Sequence, residues 1–170
     1  MSGKDRSRPE RDSSVGPAIV PAVAGDFASK VRPLLEVQLE AGEALQGVVA
    51  ATHQKTFSGG LYALAVTDRR LILLPLDRRL QPKGPLQSIA PDELVSADAD
   101  GAGGGWWSTG SAILDATALK VELRTRGGDK MKLMFMKGGE GMLGGLGGGE
   151  SQQQGVRALA EWLQQRFGGA

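Results

Sequence analysis

Two neighbouring stretches of this chain alternate apolar and polar residues one by one. In ALKVELRTR, residues 118–126, Leu119, Val121 and Leu123 fall on one side, and Lys120, Glu122 and Arg124 on the other. In KMKLMFM, residues 130–136, Met131, Leu133 and Phe135 share a side opposite Lys130 and Lys132. A period of two belongs to a strand with one dry face and one wet face. Gly127-Gly128-Asp129 between them supplies a tight turn. The pattern therefore predicts an antiparallel hairpin whose core face carries Met131, Leu133 and Phe135.

A second hairpin is predicted upstream, with a different texture. LYALAVT and RLILLPL flank Asp68-Arg69 and are apolar on both faces, so both strands are expected to be central and covered. Pro75 is expected to end the pairing of the second strand, because proline has no ladder donor. ALQGVVAATHQ, starting at Ala44, reads as a strand before this hairpin, with short strands near Leu86–Ile89 and Leu94–Ala97 after it. SAILDA, residues 111–116, is a candidate further strand. Residues 77–85 read as a polar loop.

Helical spacing occurs twice. Phe27, Val31, Leu34, Leu35 and Leu39 lie on one helical face, but Pro33 interrupts the run. The spacing predicts a short helix beginning at Pro33, since proline suits a first turn, and ending at Ala41-Gly42. SQQQGVRALAEWLQQRF predicts a longer helix, with Ser151 as N-cap and Gln154 completing a capping box. Its expected core stripe is Val156, Leu159, Ala160, Leu163 and Phe167, with Trp162 beside it and Gly168-Gly169 after its end. Ahead of the first helix, residues 1–25 are charged and then rich in proline and small residues. PAIVPAVAG cannot hold a helix across Pro17 and Pro21, so this stretch reads as a disordered tail before a domain spanning 26–170.

Composition narrows the chemistry. A length of 170 residues fits one domain plus a tail. Glycine is over-used, at 26 residues, and the excess lies between Gly101 and Gly149, which reads as long flexible loops. Twenty Lys and Arg against nineteen Asp and Glu leave no global attraction to nucleic acid. The absence of cysteine excludes disulfides, thiolate metal sites and thiol catalysis. His53 is the single histidine, so a His/Cys zinc site is excluded and a Ser-His-Asp triad has one candidate base. No cofactor and no catalytic constellation is expected. Residues 1–14 lack an apolar region and no window approaches 18 apolar residues, so neither a secretory signal nor a membrane helix is expected and the protein reads as cytoplasmic.

One set of motifs points to a family. Thr67-Asp68-Arg69-Arg70 closes one strand, and Leu71-Ile72-Leu73 opens the next. Gly42-Glu43 precedes the first strand, and PLQSIAPDELVSAD follows the hairpin. This pattern, over roughly residues 31–167, resembles the bacterial pleckstrin-homology-like domains. The resemblance implies a mainly β (α+β) fold: a bent antiparallel sandwich or partly open barrel, with a short N-terminal helix and one end plugged by a C-terminal helix. The GAGGGWWSTG insertion and the Gly-rich loop before the last helix depart from the pattern. Eukaryotic pleckstrin-homology domains bind inositol phosphates through basic residues of the first hairpin. Only Lys55 stands in the matching loop, so that activity is not carried over.

Candidate surfaces remain. Asp68, Arg69 and Arg70 read as a turn and as cover for strand ends, rather than as an anion site. Arg78, Arg79 and Lys83 share one loop and offer at most a weak, salt-sensitive anion site. GGEGMLGGLGGGE lacks the Gly-Lys-Ser/Thr ending of a phosphate loop. Trp106, Trp107, Met142, Leu143 and Leu146 sit on glycine tethers, where they either seal the core or meet a partner. The resulting expectation is a non-catalytic interaction or scaffold module, binding a protein partner or self-associating through strand edges. The alternative is a peripheral membrane or lipid-binding domain with those apolar loop tips at the surface.

Overall fold

The computed structural model describes residues 26–54, 59–100, 118–136 and 149–167. Chain order is α1 (Phe27–Glu36), β1 (Leu45–Gln54), β2 (Gly59–Thr67), β3 (Leu71–Leu76), β4 (Gln87–Ile89), β5 (Leu94–Asp100), β6 (Ala118–Thr125), β7 (Lys130–Met136) and α2 (Gly149–Phe167). The strands form one antiparallel sheet in the order β4-β3-β2-β1-β7-β6-β5. The two outermost strands, β4 and β5, do not pair, so the sheet is not closed.

β1 is where the sheet turns. It pairs with β2 along its whole length but with β7 only at Thr52 and His53. Along the rest of β1 the two halves diverge, and α2 occupies the space between them. Gln152 is the residue that makes this possible. Its side-chain amide donates to Ala50 O at 2.9 Å, and its carbonyl accepts from Ala50 N–H at 2.8 Å. One buried side chain thus replaces a missing strand neighbour, satisfying a donor and an acceptor that burial would otherwise leave orphaned.

The two faces of the sheet bury separate clusters. Between the halves and under α2 lie Val49, Leu64, Val66, Leu71, Leu73, Val121, Leu123, Leu133, Phe135, Leu159, Trp162 and Leu163. On the outer side of β1–β3, α1 covers Val48, Ala50, Ala63, Ala65, Ile72 and Leu74 with Phe27, Ala28, Val31 and Leu35. A hairpin covered on both faces explains why LYALAVT and LILLPL show no alternation. The β6–β7 pair does alternate as expected: Val121, Leu123, Met131, Leu133 and Phe135 are buried, while Lys120, Arg124, Lys130 and Lys132 are exposed. The expected mainly-β fold with a short N-terminal helix and a C-terminal capping helix is the observed one.

Three local expectations are corrected. Helix α1 begins at Phe27, six residues before Pro33, and ends at Glu36 rather than at Gly42. Asp26 caps it, with Oδ1 accepting from Ser29 N–H at 2.8 Å. The cap and the burial of Phe27, Ala28 and Val31 together outweigh the hydrogen bond lost at Pro33, which faces solvent. Pro75 does not end its strand, since Tyr62 pairs with it and Leu61 with Leu76. Its carbonyl accepts from Lys83 N–H, so its nitrogen also faces away from β2, where no ladder donor is required.

The third correction concerns α2. Ser151 is inside the helix rather than at its cap, and its hydroxyl meets the Asp26 carboxylate at the start of α1. The buried face is Gln152, Gly155, Leu159, Trp162 and Leu163, rotated from the expected stripe. Val156, Ala160 and Phe167 are only partly covered. Close backbone approach causes the rotation: a Cβ on Gly155 would lie 2.2 Å from Val48 O, and one on Gly47 would lie 2.8 Å from Ala158 Cβ. Alanine at 155 is the better helix former by about 1 kcal/mol. Gly155→Ala is nevertheless expected to destabilise by about 1–3 kcal/mol, because helix and strand must move apart. Urea denaturation checks this, and a gain in stability would show that α2 rides higher over β1.

Candidate functional site

The motif residues of the sequence meet at one end of β1–β3. Glu43, just ahead of β1, is buried, and Arg70, immediately before β3, reaches it with two bonds. Arg70 Nε lies 2.9 Å from Glu43 Oε1, and Nη2 lies 2.9 Å from Oε2. The Thr67 hydroxyl donates to Glu43 Oε1 at 2.7 Å and accepts from the N–H groups of Arg69 and Arg70. Glu40 N–H donates to the second Glu43 oxygen at 2.8 Å. Arg70 also donates to the Gln38 carbonyl and the Ser88 hydroxyl. This set ties the end of α1, the entry to β1, the β2–β3 turn and β4 into one network. Its groups are spent on each other.

Two details differ from expectation. Asp68 does not hold its own turn. Its carboxylate accepts from Ala44 N–H at 2.8 Å, extending the β1–β2 ladder by one side chain, while Thr67 holds the turn. Arg70 is no loose surface charge, since only 18% of its side chain is exposed. Arg69 is the solvated member of the pair.

The Arg70 guanidinium holds the Glu43 carboxyl at about 2, with the Glu40 N–H and the Thr67 hydroxyl adding to the effect against the opposing influence of burial. A folded-state value below the ordinary one stabilises the fold above the unfolded pKa, and that contribution is lost as pH falls through the folded value. The melting temperature is therefore expected to drop between about pH 4.5 and about pH 2. Glu43→Gln should flatten the slope in that window. An unchanged slope would assign the acid sensitivity to other carboxylates.

The loop between β3 and β4 is held by two anchors. Asp77 accepts from Gln81 N–H at 2.9 Å and Arg79 N–H at 2.8 Å, and Leu80 is buried at a φ of 61°. Burial holds a bulky residue in this left-handed conformation, which costs on the order of 1–3 kcal/mol. Arg78, Arg79 and Lys83 are exposed around the anchors. Asp77 is held below the usual carboxylate range, first by the Gln81 N–H and then by the Arg79 N–H, with the Arg79 and Lys83 charges adding to it.

An opening with the character of a site lies elsewhere. A cleft of about 710 Å³ lies where the sheet fails to close. Gln87, Ser88 and Ile89 of β4 line one wall, and the β6–β7 turn with Thr125, Arg126, Asp129 and Lys130 lines the other. Tyr62, His53 and Met131 also line it, and the His53 and Tyr62 rings meet edge to face with centroids 5.7 Å apart. Glu93 contributes a third side; its carboxylate accepts from Ala90 N–H, and its carbonyl accepts from Arg126 N–H. The sequence marked His53 only as lacking a ligand set, and the cleft itself was not foreseen. Its residues come from five separate segments, so no spacing signals it.

Trp106, Trp107, Met142, Leu143 and Leu146 lie outside the described residues, as do Lys55 and SAILDA. Among the described residues no group of three or more His, Cys, Asp or Glu side chains converges, and no helix is long and apolar enough to cross a membrane.

No family model matches this chain, and no curated protein sequence does. Two solved structures are similar in outline. The C-terminal domain of an unknown protein from Leishmania infantum is 16% identical, with 65% of this chain and 81% of that chain covered, at a TM-score of 0.38. The hSac2 domain of the human phosphoinositide phosphatase Sac2 is 11% identical, with 84% of this chain and 81% of that chain covered, at a TM-score of 0.46. At these scores neither carries an argument about what this chain does.

Proposed function

We propose that this domain is a non-catalytic interaction module of the pleckstrin-homology-like type, related to the bacterial members of that group. One observation carries the reading. The polar groups that sequence motifs single out, Glu43, Thr67, Asp68 and Arg70, are consumed in bonds that hold the fold, whereas among the described residues the cleft beside β4 and the edge of β5 are left open. Catalysis needs an uncommitted acid, base or nucleophile placed against a substrate site. Recognition needs only an accessible surface with unspent hydrogen-bonding capacity.

The β5 edge supports self-association as one form of this function. Val95 on that strand is 57% exposed at a bulge in the β5–β6 register, and an open edge is a template for a further strand. Asp98 further along the same strand is exposed and charged, which limits pairing to a specific partner.

The test is affinity capture from the native cell with the full chain, combined with light scattering across micromolar concentrations. Recovery of a stoichiometric partner, or a mass above the monomer, supports the reading. A monomer with no partner overturns it. Sedimentation with anionic and neutral vesicles is the further arm, and pelleting there would move the function to a membrane surface.

A further inference from the structure

We propose that the cleft beside β4 takes an uncharged, extended peptide segment of a partner protein, which adds to the β4 edge at Ser88 and lays an apolar side chain over Met131. This rests on the reading of the domain as an interaction module and gives that module a binding chemistry.

The phase of the ladder sets the geometry. Thr67 N–H bonds to Arg70 C=O, so residues 70, 72, 74 and 76 of the β3 segment turn their backbone groups toward β2. Leu71 and Leu73 then turn toward β4, and the Pro75 carbonyl follows the same phase in meeting Lys83 N–H. Ile89 and Gln87 lie opposite Leu71 and Leu73 and return those bonds. Ser88, between them, therefore aims its N–H and C=O off the sheet, and among the described strands β4 is the last on that side. Ser88 also lines the cleft.

An N–H and a C=O from one residue, side by side along an edge, are matched by the main chain of an extended peptide, which offers an acceptor and a donor at the same spacing. A phosphate offers acceptors and leaves the Ser88 carbonyl unmatched. The rim charges agree. Glu93 and Asp129 balance Arg126 and Lys130, and the Lys130 ammonium is already 2.8 Å from Glu122. A site with no surplus positive charge favours a neutral backbone over an anionic headgroup. Nearby, Ile89 and Met131 are buried and Tyr62 is half-buried against the inner cluster. Methionine adapts its shape to a range of aliphatic side chains.

The experiment titrates the full-length, ¹⁵N-labelled protein with N-acetyl-Val-Thr-Val-Thr-Val-amide. The expected result is saturable shifts confined to residues 87–90 and 125–131, with a dissociation constant of about 1 mM. Replacing the central amide by an ester should weaken binding about tenfold, because one donor is removed. Ser88→Pro removes the outward N–H without touching the β3 ladder and should abolish binding. The ester arm decides the matter if the proline variant folds poorly.

Absence of shifts, or equal binding by the ester peptide, overturns the proposal. Larger shifts at the same residues with inorganic phosphate make the cleft an anion site and also overturn it. Shifts at Ser88 that grow with protein concentration alone assign the edge to a second copy of the chain, which overturns it as well. If the peptide fails while affinity capture still recovers a partner, only the cleft assignment falls and the interaction module stands.

Discussion

Arg70→Ala is expected to cost about 3–5 kcal/mol, although the residue sits at a charged turn that resembles ordinary surface. The Glu43 side chain is fully buried, and removing its partner leaves a carboxylate with two neutral donors in place of a guanidinium. The cost is mostly that of the abandoned charge and not the worth of the pair. A double variant, Arg70→Met with Glu43→Leu, should therefore recover much of the loss, since apolar replacements of similar volume often match a buried ion pair. Urea denaturation of the three proteins tests both statements. A loss below about 1 kcal/mol in the single variant would place Arg70 among the weak, solvated pairs.

Phe135→Ala is expected to cost a similar amount, about 3–5 kcal/mol, for a different reason. Phe135 is 2% exposed, lies opposite Leu119 across the β6–β7 ladder and fills the cluster beneath α2. Its truncation leaves a cavity that a stiff sheet cannot close. Lys132 on the opposite face of the same strand is exposed near Glu122, and Lys132→Ala should cost at most about 1 kcal/mol. Thermal midpoints of the two variants read the register directly. If the order reverses, with Lys132→Ala the more damaging, β7 is displaced by one residue and its faces are exchanged.

The contrast between Arg70 and Phe135 shows where the sequence is legible. Phe135 belongs to a period-two run, and period two maps onto burial residue by residue. The double-sided burial of β2 and β3 was equally readable from unbroken apolar runs. The burial of Arg70 against Glu43 is not legible, because that partner lies 27 residues earlier, in a turn with no pattern of its own. The face of α2 was missed for a related reason. Gln152 and Gly155 are buried through contact with the β1 backbone, and hydropathy does not register backbone contact. Helix α1 starts ahead of its proline because the Asp26 cap and three buried side chains in its first turns outweigh the one hydrogen bond that Pro33 forgoes. Arg78, Arg79 and Lys83 are exposed, and the Asp77 anchor beneath them has no signature in the spacing of the loop. The cleft is a property of the topology, created where β4 and β5 fail to meet.

The clamp of Gln152 on Ala50 joins positions 102 residues apart. During synthesis every strand leaves the ribosome before the helix that covers the inner cluster. Until Leu159, Trp162 and Leu163 arrive, the inner face of β1 has neither its apolar lid nor the amide that satisfies Ala50. Contacts of such long sequence separation slow folding and prolong the exposure of sticky surface. The inner cluster of the sheet therefore stays uncovered until α2 is available to dock. Conditions that delay that docking, such as Gly155→Ala, should reduce the yield of folded protein in cells more than the equilibrium stability alone would suggest.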